Sequence, residues 1–125
     1  MGWYTRGVAI KNLPVIRERG ACCAIPDVDQ AWAGEAAELM KALADPTRLT
    51  MVAALWRASR PICICDFTGS LELSQPTISH HMAKLKEAGL VDSTKDGIWS
   101  YYSLRKDISP STRRLLGQLV STSAR

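Results

Sequence analysis

Four cysteines are the residues of this chain whose type and spacing could do chemistry. They occur as two tight pairs, Cys22-Cys23 and Cys63-Ile64-Cys65. Thiolates are soft ligands and select soft ions. In a chain expected to remain in a reducing compartment, such sulfurs are ion ligands or redox thiols more often than structural disulfides. The spacing therefore predicts a thiol-based binding site.

The local sequence indicates which sulfurs would serve it. We expect a short helix over 62–70, and Cys63 at its start, where unpaired N–H groups and the dipole favour an ionised sulfur. Residues two apart on a helix point about 200° away from each other, so Cys65 is possible as a ligand but expected to be a spectator. Cys22-Cys23 lies on an arm that can bend toward one centre. The three thiolates of Cys22, Cys23 and Cys63 suit pyramidal As(III) or Sb(III), which take three ligands.

Three other uses of the cysteines remain open. All four sulfurs could form a four-thiolate site for Zn(II), Cd(II) or Pb(II), which requires the helix to start after Cys65. A disulfide through Cys22 or Cys23 would make a redox switch. Finally, Cys63 and Cys65 could be small buried fillers.

The stretch from Ser74 to Leu85 predicts a second functional surface. Ile78, Met82 and Leu85 fall on one side of a helix, with Pro76 in its first turn. The other side is short, polar and free of carboxylates until its C-terminal end, as a helix in the DNA major groove must be. An ordinary amphipathic surface helix is the alternative. The residues predicted to contact DNA are Ser74 (also the N-cap), Gln75, Thr77, Ser79, His80 and Lys84, whereas His81 is expected to pack at the edge of the buried stripe.

A β-hairpin is predicted directly after this helix. Gly89 ends the helix, and Asp96-Gly97 between two β-prone runs is a strong hairpin signal. A polar-faced helix followed by a hairpin is the order of a winged helix-turn-helix, in which Lys95 would reach the DNA backbone. The fold class is therefore mainly α with one β-hairpin.

The remaining sequence predicts the helices that hold these parts. Asp45-Pro46 and Ser109-Pro110 each mark a helix start. We interpret residues 1–30 as an N-terminal arm and residues 31–122 as a DNA-binding and dimerisation domain. Two apolar stripes, one near each end of this domain, are expected to pair with a second copy of the chain, and they contain Leu39, Leu43, Leu116 and Leu119.

Composition narrows the possible classes of protein. The 125 residues are 46% apolar and 22% charged, with a net charge of +4, which fits one globular domain and mildly favours a polyanionic partner. No apolar run approaches the roughly 18 residues of a membrane span, and the N-terminus lacks a signal peptide's apolar core. We expect a cytoplasmic protein with no membrane partner. An enzyme is not expected, because no Cys-x-x-Cys occurs in a βαβ setting.

Several motifs together resemble the ArsR/SmtB family of metalloregulatory repressors. The resemblance covers roughly residues 35–120 and implies a homodimeric winged-helix repressor that leaves its double-stranded operator DNA when a thiophilic ion binds. Cys63-Ile64-Cys65-Asp66-Phe67 is similar to the Cys-Val-Cys-Asp-Leu element of arsenic-, antimony- and cadmium-sensing members. The other matching stretches are Lys41–Leu49, Ser74–Met82 and Tyr101–Leu104.

Two departures from the family pattern matter. The stretch from Ser93 to Ile98 lacks the arginines that family wings often carry, so weaker contacts to phosphates are expected. Zinc-sensing members use Asp, His and Glu on the last helix, where this chain offers only Asp107. The sequence therefore predicts an arsenite- or antimonite-responsive repressor without a zinc site on that helix.

Overall fold

The computed structural model describes residues 22–122 and contains five helices and three strands. Residues 1–21 of the predicted arm lie outside the described residues. Among those described, no helix combines the length and apolarity needed to cross a bilayer. The elements are α1 (Gln30–Leu43), α2 (Pro46–Ala58), β1 (Ile62–Cys63), α3 (Ile64–Leu71), α4 (Gln75–Glu87), β2 (Val91–Asp96), β3 (Trp99–Leu104) and α5 (Pro110–Ser121).

Three helices begin with a short polar N-cap residue that is followed within two positions by a proline. The side chains of Asp45, Ser74 and Ser109 accept hydrogen bonds from backbone N–H groups in the first turns of α2, α4 and α5. The proline in each first turn has no N–H to leave unpaired. These local signals confirm the predicted starts of all three helices.

The core lies between α2, α3, α4 and the base of the hairpin. Ile78, Met82 and Leu85 of α4 are fully buried, as their spacing predicts. They pack in one cluster with apolar residues of the other elements, which include Met51, Val52, Leu55, Phe67, Leu90 and Val91. This packing presents the opposite, polar side of α4 to solvent.

The sheet has the strand order β1-β3-β2, all antiparallel. The predicted hairpin is confirmed, with its turn one residue further along the chain. Asp96 pairs with Trp99, so Gly97 and Ile98 are the two turn residues. Gly97 has a φ of +63°, and Ile98 is not in the left-handed region. That combination fits a type II′ turn, which favours glycine at its first central position.

The prediction of a helix over 62–70 is wrong at its start. Ile62 and Cys63 form β1 by pairing with Tyr102 and Tyr101 of β3, and α3 begins only at Ile64. Cys63 has the extended backbone of an N-cap, with φ −68° and ψ 144°. A partner about 40 residues away in the sequence therefore decides this conformation.

Two of the four predicted dimer residues belong to the subunit's own core. Leu43 is 4% exposed and Leu116 is 1% exposed in the single chain. Side chains buried this deeply have no surface left for a partner, so their assignment to an interface is wrong. Leu39 is half-buried and Leu119 is 41% exposed, and both remain accessible.

Arg105 ties the base of the hairpin to the start of α5. Its guanidinium makes two 2.8 Å bonds to the carboxylate of Asp107 and lies 3.4 Å from Asp92 Oδ1 on β2. The hydrogen bonds from Arg105 lower the pKa of Asp107. The bidentate geometry fixes the direction in which α5 leaves the sheet.

Candidate thiol site and DNA-binding face

Cys63 is held in place from two directions. Its backbone pairs with Tyr101 on β3, and its side chain, which is 6% exposed, belongs to the core cluster. As the N-cap of α3, its sulfur accepts a 3.5 Å hydrogen bond from the backbone N–H of Cys65. The sulfur is therefore fixed at the positive end of the helix dipole.

The sulfurs of Cys63 and Cys65 lie 2.9 Å apart, and both cysteines are free thiols. The premise that they point in opposite directions is wrong, because Cys63 is in extended backbone, outside the helix. The Cys65 thiol donates to Cys63 Sγ, and this bond is the main cause that raises the pKa of Cys65, with desolvation second. Two sulfurs this close together can bind one soft ion jointly.

The predicted ligands on the arm are separated from this pair in the single subunit. Cys22 and Cys23 are exposed, in irregular backbone ahead of α1. Within residues 22–122, no group of three or more His, Cys, Asp or Glu side chains is arranged to hold a metal ion. The structure thus brings together Cys63 and Cys65, and one subunit does not bring Cys22 or Cys23 to them.

The predicted DNA-binding side chains are all at least partly accessible to solvent. Ser79 is half-buried, whereas Gln75, Thr77, His80 and Lys84 are exposed. Ser74 and Thr77 share a 2.9 Å hydrogen bond between their hydroxyl groups at the start of the helix. Lys95 is exposed on β2, two residues before the wing turn. Hydroxyl, amide, imidazole and ammonium groups can bond phosphates or base edges.

His81 packs inward, which confirms the expectation for it. Its Nδ1 lies 3.2 Å from a guanidinium nitrogen of Arg48 and 3.8 Å from Asp45 Oδ2. Arg48 also donates a 2.6 Å bond to the carbonyl of Ala42. This cluster joins the end of α1, the start of α2 and the middle of α4, so it sets the angle at which α4 presents its polar face.

The contact between the two sulfurs could not be anticipated from helical spacing, but a capping signal was present. Asp66 lies three residues after Cys63, the spacing of a capping box with cysteine in place of serine. If Cys63 is the cap, it lies outside the helix. The helical spacing then gives no reason to expect that Cys65 points away from it.

A polar-faced helix packed between a preceding short helix and a following hairpin defines a winged helix-turn-helix DNA-binding protein. The family model described as "Bacterial regulatory protein, arsR family" matches residues 45–93. An uncharacterized HTH-type transcriptional regulator of Methanocaldococcus jannaschii is 40% identical over 85 residues, which is 68% of this chain and 94% of that protein. The chain belongs to the ArsR family of winged helix-turn-helix transcriptional repressors.

Two further comparisons give a second curated relative and a solved structure of similar fold. The arsenic resistance transcriptional regulator ArsR1 of Pseudomonas putida is 43% identical over 70 residues, and the match covers 56% of this chain and 54% of that protein. The chain therefore matches only about half the length of this relative. The solved structure of HlyU from Vibrio cholerae has a TM-score of 0.67 at 26% identity and covers 78% of this chain and all of HlyU.

Proposed function

We propose that this chain is a homodimeric repressor of a metalloid-resistance operon, and that it leaves its operator DNA when As(III) or Sb(III) binds cysteine thiolates. The observation that carries the proposal is the 2.9 Å approach of the Cys63 and Cys65 sulfurs at the start of α3. Soft trivalent ions bind neighbouring thiolates. The arsenic resistance regulator of Pseudomonas putida, a relative at 43% identity, supports the choice of ion.

The proposed ligands are Cys63 with the arm pair Cys22 and Cys23, and the geometry makes Cys65 available in place of one arm sulfur. In a tetrahedral thiolate site with bonds of about 2.3 Å, two sulfurs stand about 3.8 Å apart. A small rotation of the Cys65 side chain from 2.9 Å would reach that separation. Arsenous acid can take three thiols and release three waters, As(OH)₃ + 3 RSH → As(SR)₃ + 3 H₂O.

A change at Cys63 has a short route to the DNA-binding face. Only residues 72–74 separate α3 from α4, and Glu72 has a φ of +55°, so this turn is tightly constrained. Cys63 also pairs with Tyr101 of the wing strand. Vacating DNA requires the ion to bind the free protein more tightly than the DNA-bound protein, and a ratio of about 100 corresponds to about 2.7 kcal/mol.

Fluorescence anisotropy with the chain's own promoter tests ion-dependent release. Arsenite should lower operator affinity of the wild-type protein, and X-ray absorption should count three sulfurs around the bound arsenic. Unchanged operator affinity at saturating arsenite would refute metalloid sensing, whereas DNA binding itself would stand.

The DNA-binding face is tested by alanine substitutions on α4. Ser79→Ala or His80→Ala should weaken operator binding by about 1–3 kcal/mol if the lost contact is to a base. Lys84→Ala should weaken binding to all sequences and reduce the salt slope by about 1. The matched control is Lys106→Ala, which removes the same charge at the base of the wing. Equal effects of Lys84→Ala and Lys106→Ala would argue against α4 as the reading helix.

The homodimer is proposed to form through exposed apolar side chains of α1 and α5. Besides Leu39 and Leu119, the exposed apolar side chains of these helices include Trp32, which is 60% exposed, and Met40, which is 46% exposed. A two-fold dimer would make operator half-sites symmetric. Leu119→Glu should shift the mass measured by light scattering at micromolar concentration toward the monomer. The control is Ile98→Glu, which makes the same kind of apolar-to-charged change at the wing tip and should leave the mass unchanged.

A four-thiolate site for Cd(II), Zn(II) or Pb(II) is the second candidate. The contact between Cys63 and Cys65 favours it, because it makes a fourth sulfur available beside the arm pair. A divalent ion must displace a proton from each protonated thiol that binds it. Arsenous acid releases water instead, so the two candidates differ in proton release.

A further inference from the structure

A cleft that contains no cysteine and no residue of α4 in its lining opens on the surface of the molecule. It lies between the C-terminal end of α2, the end of β3 and the first turn of α5, and its volume is about 570 Å³. Ligand pockets for small organic molecules fall in the range of about 300–1,000 Å³. Its apolar wall consists of Leu55, Trp56 and Leu104.

The ring of Trp56 is held firmly in this wall. A Cβ placed on Gly117 of α5 would lie 3.3 Å from the ring, so the absence of a side chain there lets α5 pack directly against the indole. An aromatic face fixed in this way offers a flat surface for an apolar or aromatic body.

Three cations line the same cleft, and no carboxylate does. They are Arg60, Lys106 and Arg113, and none of them is in an ion pair among the described residues. Nearby Arg105 shows the contrast, because its guanidinium is bonded to Asp107 and Asp92. The cleft therefore carries three positive charges that no carboxylate of residues 22–122 pairs with.

Backbone carbonyls orient both guanidinium groups. Arg113 donates from one nitrogen to the carbonyls of Arg105 and Lys106, at 3.3 and 3.5 Å. Arg60 donates to the carbonyl of Pro61 at 3.4 Å. A guanidinium has five N–H donors, so each group keeps donors for an anion. The backbone carbonyls hold the guanidinium groups in place without neutralising them, so their positive charge can still attract an anion.

The helix dipole does not account for this charge. The C-terminal end of α2 carries about half a negative charge, which one cation would more than offset. Three cations exceed it several-fold. The excess positive charge makes the cleft a favourable place for an anion.

DNA is not the anion that the position of the cleft favours. Ser103 lines the cleft and lies six residues from Gly97 at the wing tip. At about 3.3 Å per residue, the cleft is about 20 Å from the part of the wing that reaches DNA. No residue of α4 lines it.

We propose that this cleft binds a small organic anion, with an aromatic or apolar body against Trp56 and a carboxylate, sulfonate or phosphate group between Arg60 and Arg113. The site is separate from the thiol site, and its ligand acts without any soft ion. Pro61 also lines the cleft and directly precedes β1, so a bound ligand touches the segment that leads to Cys63.

The test uses the full chain without DNA or arsenite and takes naphthalene-2-sulfonate as the probe. Calorimetric titration should give one saturable site, with the sulfonate bound at least tenfold more tightly than neutral 2-naphthalenemethanol or inorganic sulfate. Arg60→Gln and Arg113→Gln should each weaken the sulfonate about tenfold. Arg114→Gln removes the same charge from the same helix outside the cleft and should leave binding unchanged. Thermal melts of all variants check the fold.

Three results would overturn the proposal. Equal binding of the sulfonate and the neutral alcohol would show an apolar surface without charge recognition. Equal effects of Arg113→Gln and Arg114→Gln would show general electrostatic attraction. A lower salt slope of DNA binding in the Arg60→Gln, Arg113→Gln double variant, with sulfonate binding unchanged, would assign these cations to DNA.

Discussion

The two cysteine pairs occupy opposite kinds of environment. Cys63 is buried, its backbone pairs with a distant strand, and its sulfur accepts a hydrogen bond from the Cys65 thiol. These contacts fix the position of the sulfur. Cys22 and Cys23 are exposed and lie in irregular backbone. The fold fixes the sulfur positions of the first pair. In the second pair, the two sulfurs are kept close only because the two cysteines are adjacent in the sequence.

This difference teaches how a sensor can be divided. The fixed sulfurs near α4 allow a bound ion to change the structure next to the DNA-binding helix. The arm sulfurs add affinity because they complete the set of ligands. Ordering the arm costs conformational entropy that the new bonds must exceed. Loss of the fixed half should therefore abolish the response, and loss of the arm should weaken it.

The largest expected effect is that of Cys63→Ser. A hydroxyl does not replace a thiolate for a soft ion, so arsenite should no longer release the protein from its operator, a loss of the full response of about 100-fold. Anisotropy with and without arsenite measures it, and operator affinity without arsenite is the control. A normal arsenite response in this variant would place the sensor elsewhere.

The double variant Cys22→Ser, Cys23→Ser should reduce the arsenite response about tenfold or more, because two ligands tethered to the same protein are lost. The same anisotropy titration measures it, and Ser121→Ala provides a matched change outside both pairs. If the double variant responds like the wild type, the arm is not part of the site.

Cys65→Ser distinguishes the observed contact between the sulfurs from the prediction based on helical spacing. The 2.9 Å contact leads us to expect a response weakened several-fold, where helical phase alone predicts none. For Cd(II), the variant should also release about one proton fewer, because the pKa of the Cys65 thiol is raised and its proton must leave on binding. Cadmium affinity should therefore rise with pH until that thiol is ionised. Calorimetry in buffers of different ionisation enthalpy measures the protons, and a fully wild-type response would make Cys65 a spectator.

The smallest expected effect is on stability. Cys63→Ser puts a hydroxyl into a buried position and should lower the free energy of unfolding by about 1–2 kcal/mol. Cys23→Ser, at an exposed position, should change it by less than about 0.5 kcal/mol. Urea denaturation compares them, and equal losses would contradict the assignment of Cys63 as buried and Cys23 as exposed.

Local signals made much of the fold predictable. The side chains of Asp45, Ser74 and Ser109 accept hydrogen bonds from backbone N–H groups three residues later. Gly97 adopts the positive φ that its turn needs without help from distant residues. Features of this kind depend on neighbours in the chain, so the sequence contains them directly. The polar face of α4 was predictable for the same reason.

Pairings between distant residues were not predictable from these signals. Cys63 is extended because Tyr101 pairs with it, and helical spacing cannot show that. Leu116 and Leu119 belong to one apolar stripe, yet the core covers the first and leaves the second exposed. A stripe shows that a helix face will be buried and does not show whether the covering surface belongs to the same chain.

The pairing of β1 with β3 also has a consequence for the order of folding. Ile62 and Tyr102 are 40 positions apart, so this ladder closes a long loop, and we expect it to form later than the helices between them, whose contacts are local. During synthesis, Cys63 leaves the ribosome well before Tyr101 exists. A nascent chain therefore presents separate thiols, and the sulfur pair becomes a single ligand set only once the wing has been made and has folded back.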